Sequence, residues 1–416
     1  MSNQGNTARQ LIISILLVTI GGLLGYKLRG NENIPGLSPL VSRFTQTKFK
    51  NTEQPTQYKD VNFGQFWDVW KILDQNYIDP EKMKPETMVD GAIKGMTASL
   101  GDPYTMYLPP DDQKRSQEDL QGSFGGVGIQ LDYVDNVLAV GVPLKGSPAE
   151  KAGIKAKDLI LHIKDDKTDK DTDGMSMYDA MNLIRGQKGT QVTLTLLRPE
   201  EKKDKFPVTL TRDEIIIPFV ELAYIDLPNG KKVAHIILSR FGDTTQHQLD
   251  DIIIDIRKQS PKVSGIILDM RNNPGGYLDG AVDVASEFIK DGLIVTQQGR
   301  TSSHQYMSKG YGRLADYPIN VVVNGGSASA AEIVAGALRD RKGAQLIGEK
   351  TFGKGTVQDA LQLPSGAGLH VTIAKWILPK GDWIQKTGIP VNTEVKDDKN
   401  TPADEVIDKA KQEFAK

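Results

Sequence analysis

Two stretches late in the chain share one plan, and that plan limits the fold more than any other feature. SGIILDMRNNPGGYLDGAVDVA (264–285) reads apolar strand, Asn-Asn-Pro-Gly-Gly, helix. INVVVNGGSASAAEIVAGALRD (319–340) reads apolar strand, Asn-Gly-Gly, helix. A fully apolar strand followed by a helix belongs in the centre of an α/β sheet. A glycine-rich turn entering a helix aims free backbone N–H groups at one point, where the helix dipole also favours negative charge. Such a point can bind a phosphate or stabilise a developing oxyanion.

The remaining chain divides by texture. Residues 10–26, QLIISILLVTIGGLLGY, are seventeen residues without a charge. As a helix they would span about 25 Å, the short end of what crosses a bilayer. No A-x-A-like cleavage site follows, so residues 1–30 are expected to be an uncleaved membrane anchor, with a signal segment as the alternative. Residues 31–60 read as a polar linker. Residues 61–118 form an N-terminal helical part, a cap or dimerisation element and so a source of a homo-oligomer. Phe66, Trp70, Leu73 and Tyr77 share one helical face there, and Met88, Ala92, Ile93, Met96 and Leu100 share another. Short strands then occupy 119–205, with a small helix capped by Ser147, started by Pro148 and closed by Gly153, and another near Met177–Arg185. Alternating strands and helices fill 206–396, and 397–416 reads as a C-terminal helix.

Composition removes several chemistries. Fifty-one basic residues against 53 acidic ones leave a net charge of -2, which gives no field to draw the chain onto nucleic acid. There is no cysteine, and the five histidines form no H-E-x-x-H, so no metal or other cofactor is expected. DKDTDG (169–174) begins like a calcium loop, but Ala180 stands where the bidentate glutamate belongs, and it reads as a solvated acidic loop. GEKTFGKGTVQ (348–358) begins like a phosphate-binding loop, yet Gly355 replaces the hydroxyl residue that would hold magnesium.

The oxyanion reading needs a nucleophile, and Ser327 and Ser329 stand at the second helix's start. Ser329-Ala330-Ala331-Glu332 is also a capping box. With no G-x-S-x-G and no suitably placed acid and histidine, the route left open is a Ser-Lys pair. A lysine with pKa about 10.4 serves as a base at neutral pH only if burial lowers it by roughly three units, or about 4 kcal/mol. Lys354, between two glycines in an apolar-flanked turn, is the candidate. Lys386 in K-T-G has no S-x-x-K to serve.

The order of short strands and two helices in 119–205 resembles a PDZ domain. From about 64 to 396, SLGDPYT, DMRNNPGG, SASAAEI, GEKTFGKGTVQ and GDWIQKTGIP together resemble the carboxyl-terminal processing (tail-specific) serine peptidases. The resemblance implies a multidomain α/β fold: a Clp-protease/crotonase-like peptidase core with an inserted PDZ domain and N-terminal helices. It implies Ser329 as nucleophile, Lys354 as base and Gln358 as the residue that places the lysine. The oxyanion would lie against the N–H groups of Gly275 and Ala330, with Ser327 structural. Peptide would bind at Gly125, Gly126, Val127, Gly128 and Ile129. The expected activity is endopeptidase cleavage of unfolded or flexible protein C-termini. The protein would be membrane-anchored or secreted, facing the periplasm, cell exterior or an organelle lumen. The alternative is a catalytically silent PDZ adaptor. The chain departs from the family pattern at Ala331, commonly serine, and at Val391 and Asn392 after Pro390.

Overall fold

The computed structural model describes residues 60–199, 204–259, 263–397, 401, 403–412 and 414, the side chain of Tyr178 excepted. The expected anchor (1–30) and the linker through residue 59 lie outside the described residues. The chain falls into two units, Met1–Pro80 and Glu81–Lys416. In the first, helix α1 (Gly64–Asn76) stacks Phe66 against Trp67 and Trp70, with ring centroids 5.1 and 6.0 Å away. Tyr77 ends it in extended backbone.

The second unit opens with α2 (Pro85–Ala98), β1 (Met106–Leu108) and α3 (Pro110–Gln121). Helix α3 has no sequence signal of the usual kind, since PDDQKRSQEDLQ carries no apolar stripe. Its ends define it: a proline at the first turn, Asp111 and Asp112 facing the positive end of the dipole, and Gly122 closing it at φ 71°.

Next come β2 (Ser123–Gly126), β3 (Ile129–Val134), β4 (Val137–Pro143), α4 (Pro148–Lys151), β5 (Leu159–Lys164), β6 (Asp169–Asp171), α5 (Met177–Ile184), β7 (Gln191–Leu197), β8 (Phe206–Thr211) and β9 (Asp213–Ile216). Strands run β3-β4-β5-β7-β8 in one sheet with β6 on β5, and β2 pairs β9 separately. Strand β8 pairs residue for residue with β7, so the small domain runs through Thr211 and not to the boundary expected at 205. Its core includes Leu138, Val140, Ile160, Ile163, Val192, Leu194 and Leu196, each almost fully buried.

The core follows: β10 (Val220–Asp226), β11 (Lys232–Leu238), α6 (Thr245–Lys258), β12 (Val263–Asp269), α7 (Leu278–Phe288), β13 (Leu293–Gly299), β14 (Ser303–Met307), β15 (Ile319–Val323), α8 (Ala330–Lys342), β16 (Gln345–Gly348), β17 (Thr356–Gln362), β18 (Gly368–Ile377), β19 (Thr393–Glu394) and α9 (Glu405–Gln412). The central sheet runs β10-β11-β12-β15-β16-β19 and is parallel from β11 onward. Helices α6, α7 and α8 cover one face through Ala234, Ile236, Leu268 and Val321, while α9 covers the other through Val406, Ile407 and Ala410. Because β12 and β15 are parallel neighbours, with Asp269 opposite Val322, the two glycine turns leave the same end of the sheet side by side. An antiparallel sheet, β1-β18-β13-β14 with β17 on β18, brings the N-terminal segment to the lysine turn.

Ile236 is fully buried and its neighbour Ile237 is 36% exposed. Ile236→Ala should therefore cost about 2–5 kcal/mol in denaturant unfolding and Ile237→Ala less than about 1 kcal/mol.

Candidate active site

The two glycine turns are stitched to each other. Asn272 N–H donates to Asn324 Oδ1 at 2.9 Å, and Asn324 Nδ2 donates to Asn272 Oδ1 at 3.0 Å. Ala328 N–H reaches the Asn273 carbonyl at 2.9 Å. Ser327, fully buried, donates from Oγ to the Met270 carbonyl and accepts from Asn324 N–H, a structural role throughout. These bonds press Gly275 against Ser329. A Cβ at Gly275, where φ is 101°, would stand 2.8 Å from the Ser329 Cβ and 3.0 Å from the Ala330 nitrogen.

Ser329 itself has φ 55° and ψ −114°, a conformation rare for a residue with a side chain. Holding it there costs on the order of 1–3 kcal/mol. The capping box forms, and its firm half is the Glu332 carboxylate, whose Oε2 accepts from Ser329 N–H at 2.9 Å. The same Oε2 accepts from Lys354 N–H at 2.9 Å. Oε1 takes the Thr351 hydroxyl at 2.6 Å and Gly353 N–H at 2.8 Å. One buried carboxylate oxygen thus accepts from the backbone N–H groups of both dyad candidates, so those two nitrogens lie no farther apart than two hydrogen-bond lengths. Burial pushes the Glu332 carboxyl up, while Thr351, Lys354 N–H, Gly353 N–H and Ser329 N–H pull against it.

The lysine turn is closed from its other side by the 383–388 loop. Lys386 N–H donates to the Gly353 carbonyl at 2.8 Å, Trp383 Nε1 to the Gly355 carbonyl at 2.9 Å, and Gly355 N–H to Gln385 Oε1 at 2.6 Å. Side chains at 353 or 355 would collide with this backbone, which is why glycines flank the lysine. Burial pushes the Lys354 amine below its ordinary value, against the attraction of Asp102 and then Glu332. Lys386 is exposed and stays on the surface.

Where the other expected residues sit differs in three places. Gln358, on β17, donates Nε2 to Thr356 Oγ1 at 2.9 Å and Thr372 Oγ1 at 3.1 Å, so the nitrogen end of its amide is tied to threonines. Gly275 N–H donates to Asn273 Oδ1 at 2.9 Å, while Ala330 N–H, at the helix start, has no acceptor among the described residues. Gly125 and Gly126 belong to the β2 ribbon, because Gly186 approaches so closely that only a glycine fits at 125. The loop ahead of β3 therefore reduces to Val127 and Gly128, with Gly128 at φ 74°, and Ile129 opens the strand. Of the departures, Ala331 is fully buried, and Asn392 Oδ1 accepts Leu346 N–H at 2.8 Å, tying the late segment to β16.

The pattern described as peptidase family S41 matches residues 232–395, a PDZ pattern matches 140–198, and one described as the activating protease CtpB N-terminal domain matches 35–112. The carboxy-terminal processing protease CtpA of Bacillus subtilis (strain 168) is 39% identical over 79% of this chain and 68% of its own length. The chain belongs to peptidase family S41. A second family member, carboxy-terminal processing protease CtpB of the same organism, is 32% identical over 83% of this chain and 70% of its own. A crystal structure from Bacteroides fragilis NCTC 9343, described as an S41 protease, shares the fold with a TM-score of 0.50. It covers 83% of this chain and 92% of that one at 18% identity. This S41 member is a serine-type peptidase of the carboxy-terminal processing kind, with a PDZ domain inserted before the core.

Sequence reading saw Glu332 only as a cap and missed Thr351 altogether. Thr351 Oγ1 also accepts Ile389 N–H at 2.7 Å, so it joins the carboxylate to the late segment. Thr351→Val should cost about 1–3 kcal/mol in chemical unfolding by orphaning that amide and one Glu332 lone pair, whereas Thr351→Ser should cost less than about 1 kcal/mol.

Proposed function

We propose that the protein is a membrane-tethered endopeptidase acting outside the cytoplasm on the C-terminal regions of other proteins. Ser329 is its nucleophile and Lys354 its general base. The carrying observation is the shared Glu332 oxygen, which holds the strained serine and the buried lysine turn in one place. A neutral Lys354 amine takes the Ser329 hydroxyl proton as Oγ attacks the scissile carbonyl carbon. Ala330 N–H meets the developing oxyanion, joined by Gly275 N–H once it exchanges Asn273 Oδ1 for the stronger acceptor. The Lys354 ammonium then gives its proton to the leaving amine, and the C–N bond breaks to leave an acyl-enzyme. Lys354 next takes a proton from the water that attacks the ester and returns it to Ser329 Oγ as the ester C–O bond breaks. Gln358, held by Thr356 and Thr372, keeps its carbonyl available to orient the amine.

Tail capture is supported by the edge position of β3, whose outer row of backbone groups has no strand partner among the described residues. Helix α5 lies beside it. Val127 and Gly128 have their carbonyls taken by Ala149 and Leu144 N–H groups, while their own N–H groups meet no acceptor among the described residues and can serve a terminal carboxylate. The charge-free run at 10–26 supports the tether.

Ser329→Ala or Lys354→Ala should each reduce cleavage of an unfolded, apolar-tailed protein by at least about 10³-fold, while single replacement of the histidines leaves it active. Full activity in either dyad variant would overturn the mechanism. The wild-type rate should rise with pH through a limb centred below the ordinary lysine value, since burial depresses Lys354 and only its neutral form accepts the proton. Amidating the substrate's C-terminus should raise KM, and separating membranes from soluble extract tests the tether.

A further inference from the structure

The SLGDPYT segment lies at least 224 residues from the serine in sequence. Its turn is built against the proposed base. The Lys354 Nζ stands 4.8 Å from the centroid of the Tyr104 ring and makes no hydrogen bond or ion pair among the described residues. The turn that carries the ring is held by Asp102, whose carboxylate accepts the Tyr104 backbone N–H at 3.1 Å and the Thr105 hydroxyl at 2.7 Å. Thr105 Oγ1 in turn accepts Thr372 N–H at 3.0 Å, which fastens the turn to β18. Thr372 Oγ1 is one of the two acceptors that fix Gln358. Asp102, Thr105, Thr372 and Gln358 therefore form one hydrogen-bonded chain, and Tyr104, in the same turn as its first two members, meets the amine.

We propose that Tyr104 is a positioning residue for Lys354: its ring face holds the amine in place and sets the pH at which it becomes a base. This rests on the reading of Lys354 as the general base. An aromatic face attracts the ammonium and not the neutral amine, so the ring opposes the desolvation that depresses the lysine. The balance keeps the amine from titrating too low to accept a proton usefully. The charged and titratable groups around Lys354 are Asp102 in the same turn, Glu332 on α8 and His370 on β18. Asp102 and Glu332 favour the ammonium. His370 is held below its ordinary value by burial and then by Lys354. Burial, with Glu332 and Asp102 behind it, raises the Tyr104 phenol, so the ring stays neutral through the working range.

The test uses the full-length protein and its Tyr104→Leu, Tyr104→Phe and Tyr104→Trp variants. Two readouts are followed against pH: kcat/KM on an unfolded, apolar-tailed protein, and acylation of the Lys354 amine by acetic anhydride, read by peptide mass spectrometry. Leucine keeps the slot apolar but removes the ring face, and should move both midpoints down by about one unit. Phenylalanine keeps the face and should leave both in place. Tryptophan, the stronger face, should move them up, which keeps the test decisive if the leucine variant fails to fold. His370→Gln should leave the activity limb in place; loss of the limb there would assign it to the histidine and overturn the proposal. Unmoved acylation midpoints in both the leucine and tryptophan variants would overturn it while leaving the dyad intact. A moved acylation midpoint with an unmoved activity limb would overturn Lys354 as the base, and with it the role given to Tyr104.

Discussion

Glu332 is fully buried, and no cation forms an ion pair with it among the described residues. A carboxylate so placed must be met by hydrogen-bond donors or driven to its neutral form. The chain supplies four donors, from Ser329, Thr351, Gly353 and Lys354. Each such bond to a charged acceptor is worth about 1.5–3 kcal/mol, so two of them outweigh the roughly 1–3 kcal/mol stored in the Ser329 backbone. The strained conformation at the helix start therefore persists because the carboxylate behind it needs that N–H. The same need fixes the lysine turn against α8.

The sheet brings the parts within reach of this carboxylate. Parallel neighbours β12 and β15 deliver their turns to one crevice at the carboxyl ends of the strands, where α/β sheets place their ligand sites. Paired asparagines 272 and 324 lock the two turns, and the close approach of Gly275 to Ser329 leaves no space for a side chain. An oxyanion formed at Ser329 would then lie between a helix N-terminus and a glycine turn, both rich in N–H groups. In the proposed mechanism the Gly275 donor, held by Asn273 Oδ1, joins such a pocket when a stronger acceptor displaces that oxygen.

Much of the architecture was legible because the relevant signals are local. Ser147, Pro148 and Gly153 defined α4, and the apolar runs at 233–238 and 263–269 became the central strands. The glycines around Lys354 marked a close backbone approach that the 383–388 loop makes. Helix α3 was missed because its stability comes from its ends and from contacts such as Arg115 Nη1 to Asn182 Oδ1, 3.0 Å apart and 67 residues distant in sequence. The end of the small domain was placed too early because the charge run at 200–205 looks like a boundary, although strand pairing continues across it.

By itself the sequence determined most of the segments that become strand, turn and helix, and which serine and lysine stand in suitable turns. Those properties depend on neighbours a few residues apart, so pattern and residue type suffice. Only the tertiary structure decided that one glutamate oxygen would serve both turns, that Gln358 would bond to threonines, and that Tyr104 would face the amine. Each of these depends on the pairing of β1 or β17 with β18 or on the docking of the lysine turn on α8, and long-range packing of that kind leaves no periodicity in the chain.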